Sequence, residues 1–378
     1  MPAAARAQTR RTSSATDVYA PRLKRLRKEM SRRGLDAILI TNEPDIHYLT
    51  GFPGEDSYAF VTSRGRPTVI SDFRFQEALG ALKGSLTPHI RATSTRITQA
   101  ARDVADETGA RCIGIQAEHV TLATREALAK ALGASRIKPE EDLLTELRLI
   151  KDDSEVRIIR KAVRIQQDAL LATLPTIRPG QTEFEICARL EYEMKARGAD
   201  GPSFHTIVAA QANGSLPHYR PGKKKTAAGR PLLIDWGARV GGYASDLTRT
   251  FSLGRWSPKM REIYTIVLDA LEAGCAAVKP GRPCCEVDEV ARSLIRDAGY
   301  GDAFGHSLGH GIGLDIHEGP RLAATCNIVL KPGMIVTVEP GIYLPGIGGV
   351  RIEDDVLVTD KGHKRLSSLP RDLQWATL

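Results

Sequence analysis

Residues 231–251 read PLLIDWGARVGGYASDLTRTF, with Asp235 and Asp246 set in apolar, strand-like surroundings on either side of a glycine-bearing link. Gly237, Gly241 and Gly242 suit that link to a hairpin loop. A loop centred on Val240 and Gly241 puts Asp235 directly opposite Asp246, so both project from the same face. Two carboxylates about 5 Å apart repel strongly unless a cation lies between them.

The same logic recurs in VTVEPGIYLPGIGGVRIEDDVLVT (336–359). A turn centred on Gly346 sets Glu339 opposite Glu353. One acid at a strand end is ordinarily a surface residue. Two hairpins, each with opposed acids and flanking glycines, instead imply four carboxylates gathered around metal. With one imidazole added, such a set can hold two adjacent divalent ions through bridging carboxylates. Mainly oxygen donors with one nitrogen favour Mn2+, Co2+ or Fe2+ over thiolate-loving ions. HSLGHGIGLDIHE (306–318) offers His306, His310 and His317, and spacing alone does not choose among them. His310 and His317 are seven apart, which excludes a zinc-protease HExxH helix.

Outward from this centre the chain divides in two. In the N-terminal third, LDAILI (35–40), YAFVT (58–62), PTVIS (67–71) and CIGIQ (112–116) read as strands. Helices fall near 73–82, 97–108 and 121–132, and Leu23, Leu26 and Met30 mark another. This alternation predicts a small α/β domain. LRLIKDDSEVRIIRKAVRI carries a helix start at Asp153 or Ser154, and Thr182-Glu183-Phe184-Glu185 has the form of a capping box. Strands then follow at 205–210, 231–236, 242–252, 334–339 and 349–358, with helices near 257–277 and 285–298. The expected limits are a disordered basic tail at 1–16, an N-terminal domain at 17–148 and an α+β catalytic domain at 149–378.

The formal net charge of +8 is held by residues 1–34; the remainder is balanced. A basic stretch around one helix, with aromatics at 5%, is a solvated face rather than a nucleic-acid footprint. No apolar run of transmembrane length and no signal peptide is visible. The six cysteines lack paired CxxC spacing, so the expected compartment is the reducing cytoplasm.

Four stretches now carry a resemblance: IDWGARVGGYASDLTRTF (234–251), SLGHGIGLDIHEGPRL (307–322), residues 336–359 quoted above, and FHTIVAAQANGSLPHYRPG (204–222). The chain resembles the creatinase/aminopeptidase family (M24), in its Xaa-Pro peptidase branch of prolidase and aminopeptidase P. LITNEPDIHYLTGF (39–52) and LRLIKDDSEVRIIRKA (147–162) are similar to that family's N-terminal domain and linker. The resemblance covers nearly all of residues 17–378. It implies an α+β pita-bread catalytic domain preceded by a smaller α/β creatinase-like N-terminal domain.

Carried over residue by residue, it implies that Asp235 chelates one metal and that His310 and Glu339 bind the other. Asp246 and Glu353 bridge the two. His218 and His317 match substrate-binding histidines that assist catalysis alongside Glu339. Arg321 matches an arginine that binds the substrate's free carboxylate. Tyr243 and Arg351 match residues beside the ligands. His205, where the family more often has an acid or proline, reads as a rim or packing residue.

The implied reaction is hydrolysis of Xaa-Pro bonds at the N-terminus of short peptides by a dinuclear-metal-activated hydroxide. The expected cofactor is two divalent ions per chain, Mn2+ first, with Co2+, Fe2+ or Zn2+ as substitutes. The expected partners are short proline-containing peptides and a second copy of the chain, with no nucleic acid and no membrane. The alternatives on the same fold are a methionine aminopeptidase, a creatinase-like hydrolase and a non-catalytic peptide-binding relative.

Overall fold

The computed structural model describes residues 18–378, so the basic tail expected at 1–16 lies outside the described residues. The chain divides between Leu147 and Arg148 into two compact units.

The first unit is organised on strand Ala37–Ile40, buried along its whole length. It pairs antiparallel with Tyr58–Thr62 and parallel with Ile113–Gln116, at the middle of a six-stranded sheet. Successive residues of a strand face opposite sides. Ala37 and Leu39 meet Ala100, Val104, Leu128 and Leu132 of helices Ile97–Thr108 and Leu122–Leu132. Two strands not expected from the sequence, Thr87–Ile90 and Ile137–Glu140, form the sheet's edges. Each contains a proline (Pro88, Pro139), which edge strands tolerate because one side needs no ladder donor.

In the second unit, helix Asp153–Thr173 starts behind Asp152, whose side chain accepts from the Ser154 and Glu155 backbone N–H groups. Glu155 returns the bond to the Asp152 N–H. Thr182 and Glu185 close the same reciprocal box at helix Glu183–Ala196. Leu247–Ser252, Pro231–Trp236 and Ile207–Ala210 form one three-stranded sheet. A five-stranded sheet runs in the order Glu318–Leu322, Gly309–Gly311, Ile335–Val338, Asp354–Thr359, Gly362–Arg365. Helices Pro258–Ala277 and Cys284–Ile295 join the strands in one apolar core.

Strand parity decides what that core excludes. Leu232, Ile234 and Trp236, with Leu247, Phe251, Val336, Val338, Val350, Ile352, Val356 and Val358, all lie in the helical core. The intervening residues therefore face the other way. These are Asp235, Asp246, Thr248, Thr337, Glu339, Arg351, Glu353 and Asp355.

The two hairpins differ in how they meet the expected registers. Glu339 and Glu353 do face each other. The pairing continues from Val338↔Asp354 to Gly341↔Arg351, with Gly346 at the turn in a left-handed conformation. The first hairpin is displaced from the expected pairing. Thr248, not Asp246, stands opposite Asp235. The turn is centred on Gly241 and Gly242, at φ 53° and 81°. A two-residue hairpin turn of this kind needs positive φ at both central positions; the glycine pair supplies them and the β-branched Val240 does not. Moving the centre by one residue moves the register by two. Parity survives, and Asp235 and Asp246 become diagonal neighbours on one face. Gly237, at the position facing Asp246, has no room for a side chain: a Cβ there would lie 2.0 Å from the Ser203 hydroxyl and the Ser245 carbonyl.

Candidate metal centre

The polar face of the second unit opens on a cavity of about 360 Å³. It is lined by Phe204, His205, Ile207, His218, Tyr219, Arg220 and, opposite in character, by Asp235, Asp246, His310, His317, Glu339 and Glu353. Asp246, His310 and Glu353 are buried and offer ligand atoms that all lie within 4.8 Å of one another. His310 Nε2 is 3.7 Å from Asp246 Oδ2 and 3.4 Å from Glu339 Oε1.

The electrostatics of the cluster are those of a site short of positive charge. Burial first, then the neighbouring carboxylates, push the carboxyls of Asp246 and Glu353 well above their ordinary range. Asp355 is raised by burial in the same way. Burial carries Glu339 up to about 8, although the nearby Arg351 guanidinium opposes the shift. Glu339 keeps 17% of its side chain exposed, so its access to the cavity and its shift coexist. One oxygen each of Asp235, Asp246, Glu353 and Asp355 is buried with no hydrogen-bond partner. An unpartnered buried carboxylate oxygen costs on the order of 1–3 kcal/mol or more, which a coordinated cation would offset.

His310 completes the donor set. Its Nδ1 lies 3.1 Å from the Gly311 carbonyl, which assigns the proton to Nδ1 and leaves the Nε2 lone pair facing the acids. Burial lowers its pKa to about 4, so the ring is neutral at neutral pH. Three orphaned ligand oxygens, a neutral imidazole nitrogen and an excess of negative charge fit divalent cations bound mainly by oxygen.

Around the expected ligands is a second set of polar contacts. Arg351 donates from Nη2 to Asp235 Oδ2 at 2.5 Å, from Nε to Thr248 Oγ1 at 3.0 Å and from Nη1 to the Tyr343 hydroxyl at 2.7 Å. Thr248 Oγ1 donates to Glu353 Oε2 at 2.7 Å, and the Asp246 N–H to Asp355 Oδ2 at 3.1 Å. Thr337 Oγ1 lies 3.3 Å from Glu339 Oε1. His306 Nε2 lies 2.8 Å from the Tyr343 hydroxyl. Thr248, Thr337, Tyr343 and Asp355 were not singled out from the sequence. Strand parity would have found Thr248, Thr337 and Asp355, since each shares a face with a ligand acid.

The structure thus gathers all five expected ligands with His218, His317 and His205 on one cavity. The His317 ring meets His310 edge to face at 4.4 Å, and burial followed by the nearby His218 lowers its pKa. Arg321 is exposed on strand Glu318–Leu322 and is not in the cavity wall. Tyr243 is also outside that wall; its hydroxyl donates to Glu155 Oε1 at 3.1 Å. Arg351, expected beside the ligands, bonds one of them, Asp235, directly.

Residues 157–360 match metallopeptidase family M24. The chain belongs to that family. Residues 22–150 match the creatinase/prolidase N-terminal domain. The chain is 36% identical to an Xaa-Pro dipeptidase of Pyrococcus horikoshii, across 94% of this chain and 99% of that one. Among solved structures it is similar to an Xaa-Pro dipeptidase from Bacillus anthracis, with TM-score 0.88, 39% identity and coverage of 93% and 98%. It is also similar to an X-Pro aminopeptidase from Thermotoga maritima, with TM-score 0.85, 34% identity and coverage of 91% and 99%. This M24 chain is therefore a hydrolase that works with divalent metal, its sequence running from a creatinase-type N-terminal domain into a pita-bread catalytic domain. Among the described residues no helix is long and apolar enough to cross a membrane.

Proposed function

We propose that this M24 peptidase cleaves the bond preceding proline at the N-terminus of short peptides, using two divalent ions with Mn2+ foremost. The observation that carries the reading is the set of orphaned buried oxygens of Asp235, Asp246 and Glu353 around a neutral His310. The substrate class follows the named relatives, which are Xaa-Pro dipeptidases and an X-Pro aminopeptidase.

Asp235, Asp246, His310, Glu339 and Glu353 would hold the ions. Such ions supply Lewis acidity and a water acidic enough to attack at neutral pH. Glu339, open to the cavity, accepts a proton and returns it to the departing nitrogen. His218 and His317, on the cavity wall, hydrogen-bond the substrate carbonyl as charge develops on it. Arg351 holds the Asp235 carboxylate in orientation. The Xaa-Pro amide has no N–H, so recognition falls to the carbonyl, the termini and the proline ring. Arg321, exposed near His317, which feels its charge, is assigned to the carboxylate of a dipeptide substrate.

The same reading places the enzyme in the cytoplasm as a homodimer. All six cysteines are free, which suits a reducing compartment. The test is release of the N-terminal residue from Xaa-Pro and Xaa-Pro-Yaa peptides after loading with Mn2+. Turnover of either supports the assignment; two bound ions without turnover of either sinks it.

A further inference from the structure

Glu183 is the first residue of helix Glu183–Ala196, and its side chain is fully buried. Its carboxylate accepts four hydrogen bonds. Oε1 takes the Ala210 backbone N–H at 2.7 Å and the Asn213 amide at 2.9 Å. Oε2 takes the Tyr219 hydroxyl at 2.8 Å and the Gly222 N–H at 3.0 Å. All four donors are uncharged, and all four come from residues 210–222. The Asn213 amide also donates to the Tyr219 hydroxyl at 2.8 Å. The backbone follows suit, with Glu183 N–H on the Lys224 carbonyl and Phe184 N–H on that of Gly222.

A buried carboxylate met only by neutral donors is an expensive way to fill space. Its place in the first turn, where the helix dipole favours negative charge, lowers that cost. What a carboxylate provides, and an apolar side chain does not, is several acceptor sites converging on one point. Here they join the start of a loop, residues 210–213, to its end, residues 219–222. Between these anchors lies His218. Phe204, His205, Ile207, His218, Tyr219 and Arg220 make up the cavity wall facing the metal ligands. The ligand wall is fixed by strand pairing. The wall across from it is loop for much of its length and has Glu183 behind it.

We propose that Glu183 is the positioning residue of the substrate wall, tying the loop at both ends so that His218 is held at the cavity. The proposal rests on the reading of His218 as a substrate-facing group. Glu183 does not touch substrate or metal, and its removal acts through His218 and Tyr219.

The test uses the full, Mn2+-loaded chain in a double-mutant cycle on an Xaa-Pro dipeptide. Glu183→Gln keeps the volume but leaves one acceptor oxygen, so the amide cannot serve both Tyr219 and Gly222. The expected result is a loss in kcat/KM of about 10- to 100-fold with bound metal per chain unchanged. His218→Ala should then cost much less in the Glu183→Gln background than in the wild type, because the histidine is already out of place. Tyr219→Phe removes one strand of the tie while keeping the ring, and carries the same cycle if Glu183→Gln does not fold. A second readout needs no substrate: trypsin cleavage at Lys223–Lys225 should accelerate in Glu183→Gln, as expected of a freed loop. Independent, multiplying effects of the two substitutions, or an unchanged trypsin rate in a folded variant, would overturn the proposal. Absence of Xaa-Pro turnover by the wild type would overturn the substrate assignment instead, and the trypsin rate would still decide the role of Glu183.

Discussion

Arg351 and Asp235 form a buried ion pair, Nη2 to Oδ2 at 2.5 Å, between a guanidinium on one hairpin and an acid of the proposed ligand set on the other. Arg351 donates to a side-chain carboxylate of the proposed five-residue ligand set, and the same guanidinium reaches Thr248 and Tyr343. Arg351→Lys cannot reproduce three directed contacts from one fork. It should weaken metal binding about 10- to 100-fold, read by metal titration, with the far-ultraviolet circular dichroism retained. Arg351→Met leaves Asp235 buried without its partner and should destabilise the protein by about 3–5 kcal/mol, read by denaturant unfolding.

Asp246→Asn should have opposite effects on the two forms of the protein. In the metal-free form it removes one of several mutually repelling buried carboxylates. The stripped variant should therefore be more stable than stripped wild type by roughly 1–2 kcal/mol at pH 8. In the presence of Mn2+ the order should reverse, because the variant loses a ligand. Thermal melts with and without chelator measure both, and a variant less stable in both forms would contradict the charge argument.

Metal-free stability should fall as pH rises from about 6.5 to about 8. Glu339, raised to about 8, and the more strongly raised Asp246 and Glu353 bind protons in the folded state that the unfolded chain has already released. Their contribution is therefore full below the ordinary carboxyl range and is lost as pH rises through the folded values. His310, lowered to about 4, works in the opposite sense, but only below its ordinary value of 6.5. Above that the carboxyls act alone. Each extra folded-state proton gives a slope of about 1.4 kcal/mol per pH unit. Metal loading should abolish the slope and release protons, which calorimetry in buffers of different ionisation enthalpy would count.

Arg321→Ala should raise KM for an Xaa-Pro dipeptide about tenfold and change it little for an Xaa-Pro-Yaa tripeptide. The side chain is exposed and outside the cavity wall, so it can meet only a group that reaches beyond the scissile bond. Equal effects on both substrates would remove it from carboxylate recognition.

The four acids were legible because strands alternate with period two and turns obey local chemistry. Glu339 and Glu353 could be paired from the position of Gly346 alone. Period-two alternation puts Asp235 and Asp246 on the right face, but a turn centred on Val240 and Gly241 gives the wrong register, because Gly241-Gly242 is the pair that can make it. Strand Gly309–Gly311, which carries His310, did not show: three residues, two of them glycine, have no β signal of their own. Gly309 and Gly311 are there because a Cβ at either would lie about 2 Å from the backbone of Thr337 or Gly319. That is a tertiary constraint, and it explains why spacing could not choose His310 over His306 and His317. The sequence marks Glu183 as part of a helix start, which it is, but the four donors that converge on it come from 27 to 39 residues away. No local pattern encodes that.

The most direct measurement is the rate of proline release from an Xaa-Pro dipeptide as a function of divalent ions bound per chain. The account predicts no release from chelator-stripped protein, recovery on adding Mn2+, and a plateau at two ions per chain. A chain that holds two ions and releases no proline, or one whose rate is unchanged by stripping, would contradict it.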